Sequence, residues 1–169
     1  MSYRNKTYVA FASEDIRSYY MMKAWKNNDK IEFDFYDAHD LFQARDNSLP
    51  ETIKARLRER LKNAKQVVLL GSAHAKTKGG DGDSFLAHEI EVIQEFDLPI
   101  VVANLDQDRK VDRNFIPKPL LDANHYTVSV SFQPAIIKYA LDKYVPKYSS
   151  KRGEGPHEYP ASIYQDLGL

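Results

Sequence analysis

Two apolar runs, QVVLLG at residues 66–71 and LPIVVANL at residues 98–105, constrain the fold of this chain most strongly. Each is too short for a buried helix and carries no polar residue at alternate positions, so neither can keep one face in water. Runs of this kind are central strands covered on both faces, which in practice means a parallel sheet between helical layers. The remaining segments agree with that frame. TYVAFA (7–12) is a short β-branched and aromatic strand, followed at once by SED, where Ser13 or Asp15 is placed to cap a helix over Ile16 to about Lys26. IEFDFYD (31–37) alternates Ile31, Phe33, Phe35 with Glu32, Asp34, Tyr36, the period of a half-covered strand near a sheet edge.

SLPETIKARLRERLKNA places Ser48 three residues before Glu51, with Pro50 in the first turn and Ile53, Leu57 and Leu61 four apart, a capping box leading into a helix. SAHAKTKGGDGDS reads as a glycine-rich loop, FLAHEIEVIQEF as a helix, DQDRKVDRNFIPKP as an irregular connection, HYTVSVSF as a strand, and PAIIKYALDKYV as a last helix. Strand and helix alternate throughout. The expected class is therefore α/β, a doubly wound, mostly parallel sheet of about five strands with helices on both faces. Residues 1–147 form the expected domain. Residues 148–169, rich in Gly, Pro and polar residues, form a tail that either wanders or docks through Tyr159, Ile163 and Tyr164.

Composition narrows the function classes. Lys plus Arg and Asp plus Glu both number 24, so no global field recruits nucleic acid or an anionic membrane. The absence of cysteine removes disulfides, thiolate nucleophiles and cysteine-ligated zinc. The five histidines lack paired metal-ligand spacing, and no metal is expected. The N-terminal residues lack a signal peptide's apolar core and no run approaches the roughly 20 residues that span a bilayer, so a cytoplasmic protein is expected. Lys54, Arg56, Arg58, Arg60, Lys62 and Lys65 mostly lie off the Ile53, Leu57, Leu61 stripe and read as a solvated helix face. GSAHAKTKGG departs from the order of a Walker phosphate loop, leaving at most a phosphate contact by Lys76 or Lys78.

One residue breaks the pattern. At about 100° per residue from Phe85, Val92 falls near −20°, Phe96 near 20°, Ile93 near 80° and Glu89 near 40°, inside the apolar stripe. Glu91 and Glu95, near about 240° and 280°, occupy the polar face where charges belong. In open parallel sheets ligands bind beyond the carboxyl ends of the strands. That rim collects the SED after the first strand, the DAHDLFQARD loop, the GSAHAKTKGGDGDS segment and the first turns of the Glu89 helix. A carboxylate among Phe85, Val92 and Phe96 at such a rim is a candidate active-site group; the alternative is a glutamate that bonds a neighbouring hydroxyl or arginine and closes the packing.

The ordered segments carry a resemblance. KTYVAFASEDIR resembles the first box of TIR (Toll/interleukin-1 receptor-like) domains, FDFYDAHDLFQARDNSLPETI their second strand, BB loop and next helix, and SFLAHEIEVI the helix bearing the catalytic glutamate of TIR enzymes. Over roughly residues 5–145 the chain is similar to the bacterial TIR-like subgroup that includes the ThsB sensors of Thoeris anti-phage defence. The resemblance implies the flavodoxin-like TIR fold and cleavage of NAD at the nicotinamide glycosidic bond, giving nicotinamide and ADP-ribose or a cyclic ADP-ribose derivative. NAD is then the substrate and no cofactor is implied. The partners implied are other copies of the chain, through TIR surfaces, and a downstream effector that senses the product.

Glu89 aligns with the catalytic glutamate, and Phe85 takes the place four residues earlier where relatives usually carry Trp. On this fold Phe11, Ala12 and Ser13 end the first strand beside Ser72, and the loop from Asp37 through His39 to Arg45 arches toward Glu89. These residues and Phe85 are the expected substrate-binding set. Two departures separate the chain from the usual pattern: Ala44-Arg45-Asp46 has no glycine where many relatives have an Arg-Gly-Asp-like turn, and Phe85 offers a smaller stacking face than Trp. Two other classes of function are compatible with these features, a non-catalytic TIR scaffold that self-associates and a nucleoside or nucleotide hydrolase or transferase on a similar fold.

Overall fold

Val67, Val68, Leu69 and Leu70 of QVVLLG are each exposed by 1% or less, as strands in the middle of a two-sided sheet must be. A computed structural model describes residues 6–33, 36–37, 49–150 and 153–169. It contains β1 (Lys6–Ala10), α1 (Ile16–Lys26), β2 (Tyr36–Asp37), α2 (Pro50–Leu61), β3 (Gln66–Gly71), α3 (Ala73–Gly80), α4 (Phe85–Glu95), β4 (Ile100–Asn104), α5 (Lys118–Asp122), β5 (Thr127–Ser131), α6 (Pro134–Lys143), β6 (His157–Glu158) and α7 (Ala161–Asp166). The strands form one sheet in the order β2-β1-β3-β4-β5-β6, every neighbouring pair parallel. The register sets Val9, Val68, Val101 and Val128 in one row across it.

Alternation along the strands divides the core into two layers. Val9, Phe11, Val68, Leu70, Val101 and Val128 face α1, α6 and α7, where Tyr19, Met22, Ile137, Leu141 and Tyr164 cover them. Tyr8, Ala10, Val67, Leu69, Ile100 and Val102 face the other way, under Leu57 and Leu61 of α2, Ile90 and Ile93 of α4, and Leu120 of α5. The expected doubly wound architecture is thus present.

Several expectations are corrected in detail. The sheet has six strands because the tail adds β6 beside β5, with Val128 opposite His157 and Ser129 opposite Glu158. The tail docks: Tyr164 is fully buried, and Tyr159 and Ile163 pack against the same layer. Of the expected second strand, Tyr36–Asp37 pairs at the sheet edge as its pattern suggested and Phe33 is buried beside Trp25, while Asp34 and Phe35 lie outside the described residues. Asp15 holds the N-cap position of α1 but makes no capping bond through its side chain, and Ser13 falls inside the 3-10 turn Ser13–Asp15 that leads into α1. The helix α2 starts at Pro50 as expected, and Ser48, its expected cap, lies outside the described residues. KPLLD, which begins with the last two residues expected in the irregular connection, makes the short helix α5.

The largest correction concerns SAHAKTKGG, which forms the helix α3 and not a loop. The Ser72 hydroxyl accepts a bond from the Ala75 amide at 3.0 Å, the usual N-cap arrangement. Glycine is tolerated near the end of α3 because the chain needs its small size there. A Cβ on Gly79 would lie 2.5 Å from Cγ of Pro117. Alanine is worth about 1 kcal/mol over glycine in a helix, but this clash outweighs it. Gly79→Ala is therefore expected to destabilise the fold by about 1–3 kcal/mol, read as a lower midpoint in chemical denaturation; a stabilised variant would show that Pro117 yields at no cost.

Candidate functional site

A 2-1-3-4-5 strand order has its switch point between β1 and β3, since the chain leaves β1 in one direction and β3 in the other. Crevices at such points bind ligands beyond the strand carboxyl ends. Here Ala12, buried, and Ser13, exposed, follow β1, and Ser72, buried, follows β3. Ser72 joins the two strand ends. Its hydroxyl donates to the Asp15 carboxylate at 2.5 Å while accepting from the amide of Ala75. Burial raises the Asp15 carboxyl above its ordinary range; the Ser72 bond and the charge of His74 act in the opposite sense. Ser72→Ala removes the α3 cap and this link together, so a loss of about 1 kcal/mol is expected for the cap alone. Melting measurements on Ser72→Ala and Asp15→Asn check this, since a larger loss in Ser72→Ala reports the cap.

Helix α4 starts at the same rim and runs back beneath the sheet. Phe85 opens it, half-buried against the α2 side of the core. One turn on, about 6 Å along the axis, Glu89 has 0% of its surface exposed. Tyr8, two residues before the end of β1 and 1% exposed, donates its phenolic hydroxyl to Oε2 of Glu89. The inward position read from periodicity is therefore observed, and the residue that meets it is Tyr8. Sequence reasoning left Tyr8 out. Its signal was the alternation of Tyr8, Ala10 and Ala12, which puts one long polar-tipped side chain on the same face as two small ones.

The polar face of α4 behaves as expected. Glu91 takes Lys54 at 2.7 Å and Glu95 takes Arg58 through bonds of 2.8 and 2.9 Å. The bond from Arg58 holds the Glu95 carboxyl below its ordinary range. Two members of the basic run are thus partners of α4. Phe96, placed in the inner stripe by the helical wheel, is instead 36% exposed, although its amide still bonds the Val92 carbonyl as a helical residue does. It borders a cavity of about 400 Å³ with Leu61, Ala64, Lys65 and Leu98. That cavity lies at the amino-terminal ends of β3 and β4, the opposite end of the sheet from the switch-point rim.

The expected substrate-binding residues divide. Ala12, Ser13 and Ser72 share the switch-point rim, and Phe85 begins the helix that carries Glu89. Phe11 belongs to the other core layer, stacked on Tyr19 with ring centroids 4.8 Å apart, so the sheet stands between it and Glu89. Asp37 ends β2 opposite Thr7. His39 and Arg45 lie outside the described residues. Lys76 reaches the Arg113 carbonyl, and Lys78 lies 3.7 Å from Glu14.

The family described as "Thoeris protein ThsB, TIR-like domain" matches residues 8–110, from β1 through β4 and into the connection beyond it. The chain belongs to that family. The match includes Tyr8, the switch-point rim and the whole of α4, so every part of the site just described falls within the ThsB TIR-like region. The α5, β5, α6 and tail segments lie beyond it. Membership makes this a TIR-family defence protein. Among the described residues no helix of this ThsB-family chain is long and apolar enough to cross a membrane.

Proposed function

We propose that this ThsB-family chain cleaves NAD at the bond between nicotinamide and ribose, with Glu89 as the catalytic carboxylate. The observation that carries the reading is the position of Glu89. A carboxylate sits wholly inside the apolar layer of α4, one turn from the switch-point rim, and receives a hydrogen bond from Tyr8. Burying a carboxylate costs several kcal/mol, and its retention there calls for a use.

The chemistry suits a single carboxyl group. Ordinary glycosidases use two, one of them to protonate the leaving oxygen. When the C1′–N bond of NAD breaks, its electron pair passes to the pyridinium nitrogen, and nicotinamide leaves neutral without a proton. The ribosyl cation is left with positive charge shared between C1′ and the ring oxygen, and a fixed carboxylate stabilises that charge as it develops. Water then adds at C1′ and releases a proton, giving ADP-ribose; capture by another nucleophile of the same molecule gives a cyclic product. NAD is consumed as substrate, so no cofactor takes part. A downstream effector reads the product, and the chain works in the cytoplasm as an assembly of TIR surfaces.

Glu89 has no exposed surface, so substrate reaches it only after the covering groups part. The reading therefore includes activation by a trigger. Purified protein is incubated with NAD, with and without extract from phage-infected cells, and nicotinamide is quantified by chromatography. Release is expected in the triggered sample. Its absence in every sample overturns the proposal. The self-associating scaffold reading leans on Arg45 and Asp46, which lie outside the described residues.

A further inference from the structure

We infer that Tyr8 is a positioning residue of Glu89: its hydroxyl holds the carboxylate in the orientation from which it meets the ribosyl cation. The inference rests on the proposed role of Glu89 and adds to it a residue that never touches substrate. Three observations carry it.

Tyr8 and Glu89 are both closed off from solvent and are bonded across 81 positions of sequence. A bond of that kind, phenol to carboxylate in a low-dielectric layer, is among the stronger neutral-to-charged hydrogen bonds. Second, Tyr8 is anchored along its backbone, paired through β1 with β3 opposite Val67. The hydroxyl therefore stands on the rigid centre of the sheet, whereas Glu89 hangs from a helix by a side chain with three rotatable torsions. Third, the next inward-facing residues toward the rim, Ala10 and Ala12, are small and buried in the same layer, so neither places a long side chain between Tyr8 and the rim.

A group stabilising a developing charge must be fixed before the reaction, since a displacement of about 1 Å can cost on the order of a hundredfold in rate. Without the phenol the carboxylate loses this bond and the restraint it places on its torsions, while the surfaces that bind the rest of NAD are untouched. The effect falls on kcat and leaves KM alone, the pattern of an interaction felt in the transition state.

The test compares four full-length proteins: wild type, Glu89→Gln, Tyr8→Phe and Tyr164→Phe. Tyr164 is a matched control, a fully buried phenol in the other core layer whose oxygen accepts the Ser131 amide. Nicotinamide release from NAD is measured over a range of substrate concentrations under the activating condition, together with melting temperature. Tyr8→Phe is expected to lower kcat by about tenfold to a hundredfold with KM unchanged, and Tyr164→Phe to lower the melting temperature with kcat unchanged. Wild-type kcat in Tyr8→Phe overturns the inference, as does a raised KM at constant kcat. If Tyr8→Phe does not fold, 3,5-difluorotyrosine at position 8 keeps the ring and changes only the phenol's donor strength; an unchanged kcat then overturns it. A wild type that releases no nicotinamide, or a Glu89→Gln protein equal to it, overturns the function itself. An active wild type with inactive Glu89→Gln and unaffected Tyr8→Phe removes the role of Tyr8 alone.

Discussion

Glu89→Gln is expected to lower triggered nicotinamide release by roughly 10²–10³-fold, the loss typical when one preorganised group that stabilises transition-state charge is removed. The substitution is close to isosteric, and the amide oxygen of glutamine can still accept the Tyr8 hydroxyl that now bonds Oε2. The fold should therefore persist, with a melting temperature near that of wild type. What disappears is the negative charge. A neutral amide offers the ribosyl cation only a dipole, a weaker interaction than that with a full charge. Chromatographic assay of nicotinamide from matched amounts of folded protein checks this. Release equal to wild type would mean that Glu89 closes the helix packing and nothing more.

Tyr164→Ala is expected to cost about 3–5 kcal/mol, the range for deleting a buried aromatic ring, and to lower the melting temperature by on the order of 10 °C for a chain of this size. The residue is fully buried within the α1, α6 and α7 layer. Its ring lies under the Arg109 guanidinium, 4.3 Å from centroid to Cζ, and its oxygen accepts the Ser131 amide at 3.2 Å. The same tail supplies Glu158, whose carboxylate accepts the Val111 amide at 3.0 Å. Loss of Tyr164 thus opens a cavity and loosens the grip of the tail on the connection after β4. Hydrogen exchange at Val111 should rise with it. A melting temperature within about 2 °C of wild type, well under the expected cost, would show that the tail is not held by this ring.

The two results address features of unequal visibility in the sequence. Short apolar runs rich in valine and isoleucine favour strands covered on both faces, so β3 and β4, and with them the parallel sheet, were legible at once. Helical period placed Glu89 inward, because a wheel depends only on the spacing of residues along one helix. It also placed Phe96 inward, and Phe96 is exposed, since the wheel does not know how far the neighbouring elements extend over a helix end. The glycines of SAHAKTKGG suggested a loop; Ser72 capping Ala75 and the close approach of Gly79 to Pro117 made a helix of it.

What the sequence by itself determined was local: which segments are strands and helices, which face of each is apolar, and that Glu89 is on the wrong face for a solvated charge. The tertiary structure decided what each face meets. It brought Tyr8 to Glu89, set Phe11 on the far side of the sheet, linked Ser72 to Asp15, and folded the tail so that Tyr164 reached Ser131 and Arg109. The physical reason is that periodicity arises from backbone geometry and is written in neighbouring residues. Partners across a sheet are set by register and layer packing, and residues 81 positions apart carry no mark of each other until the chain is folded.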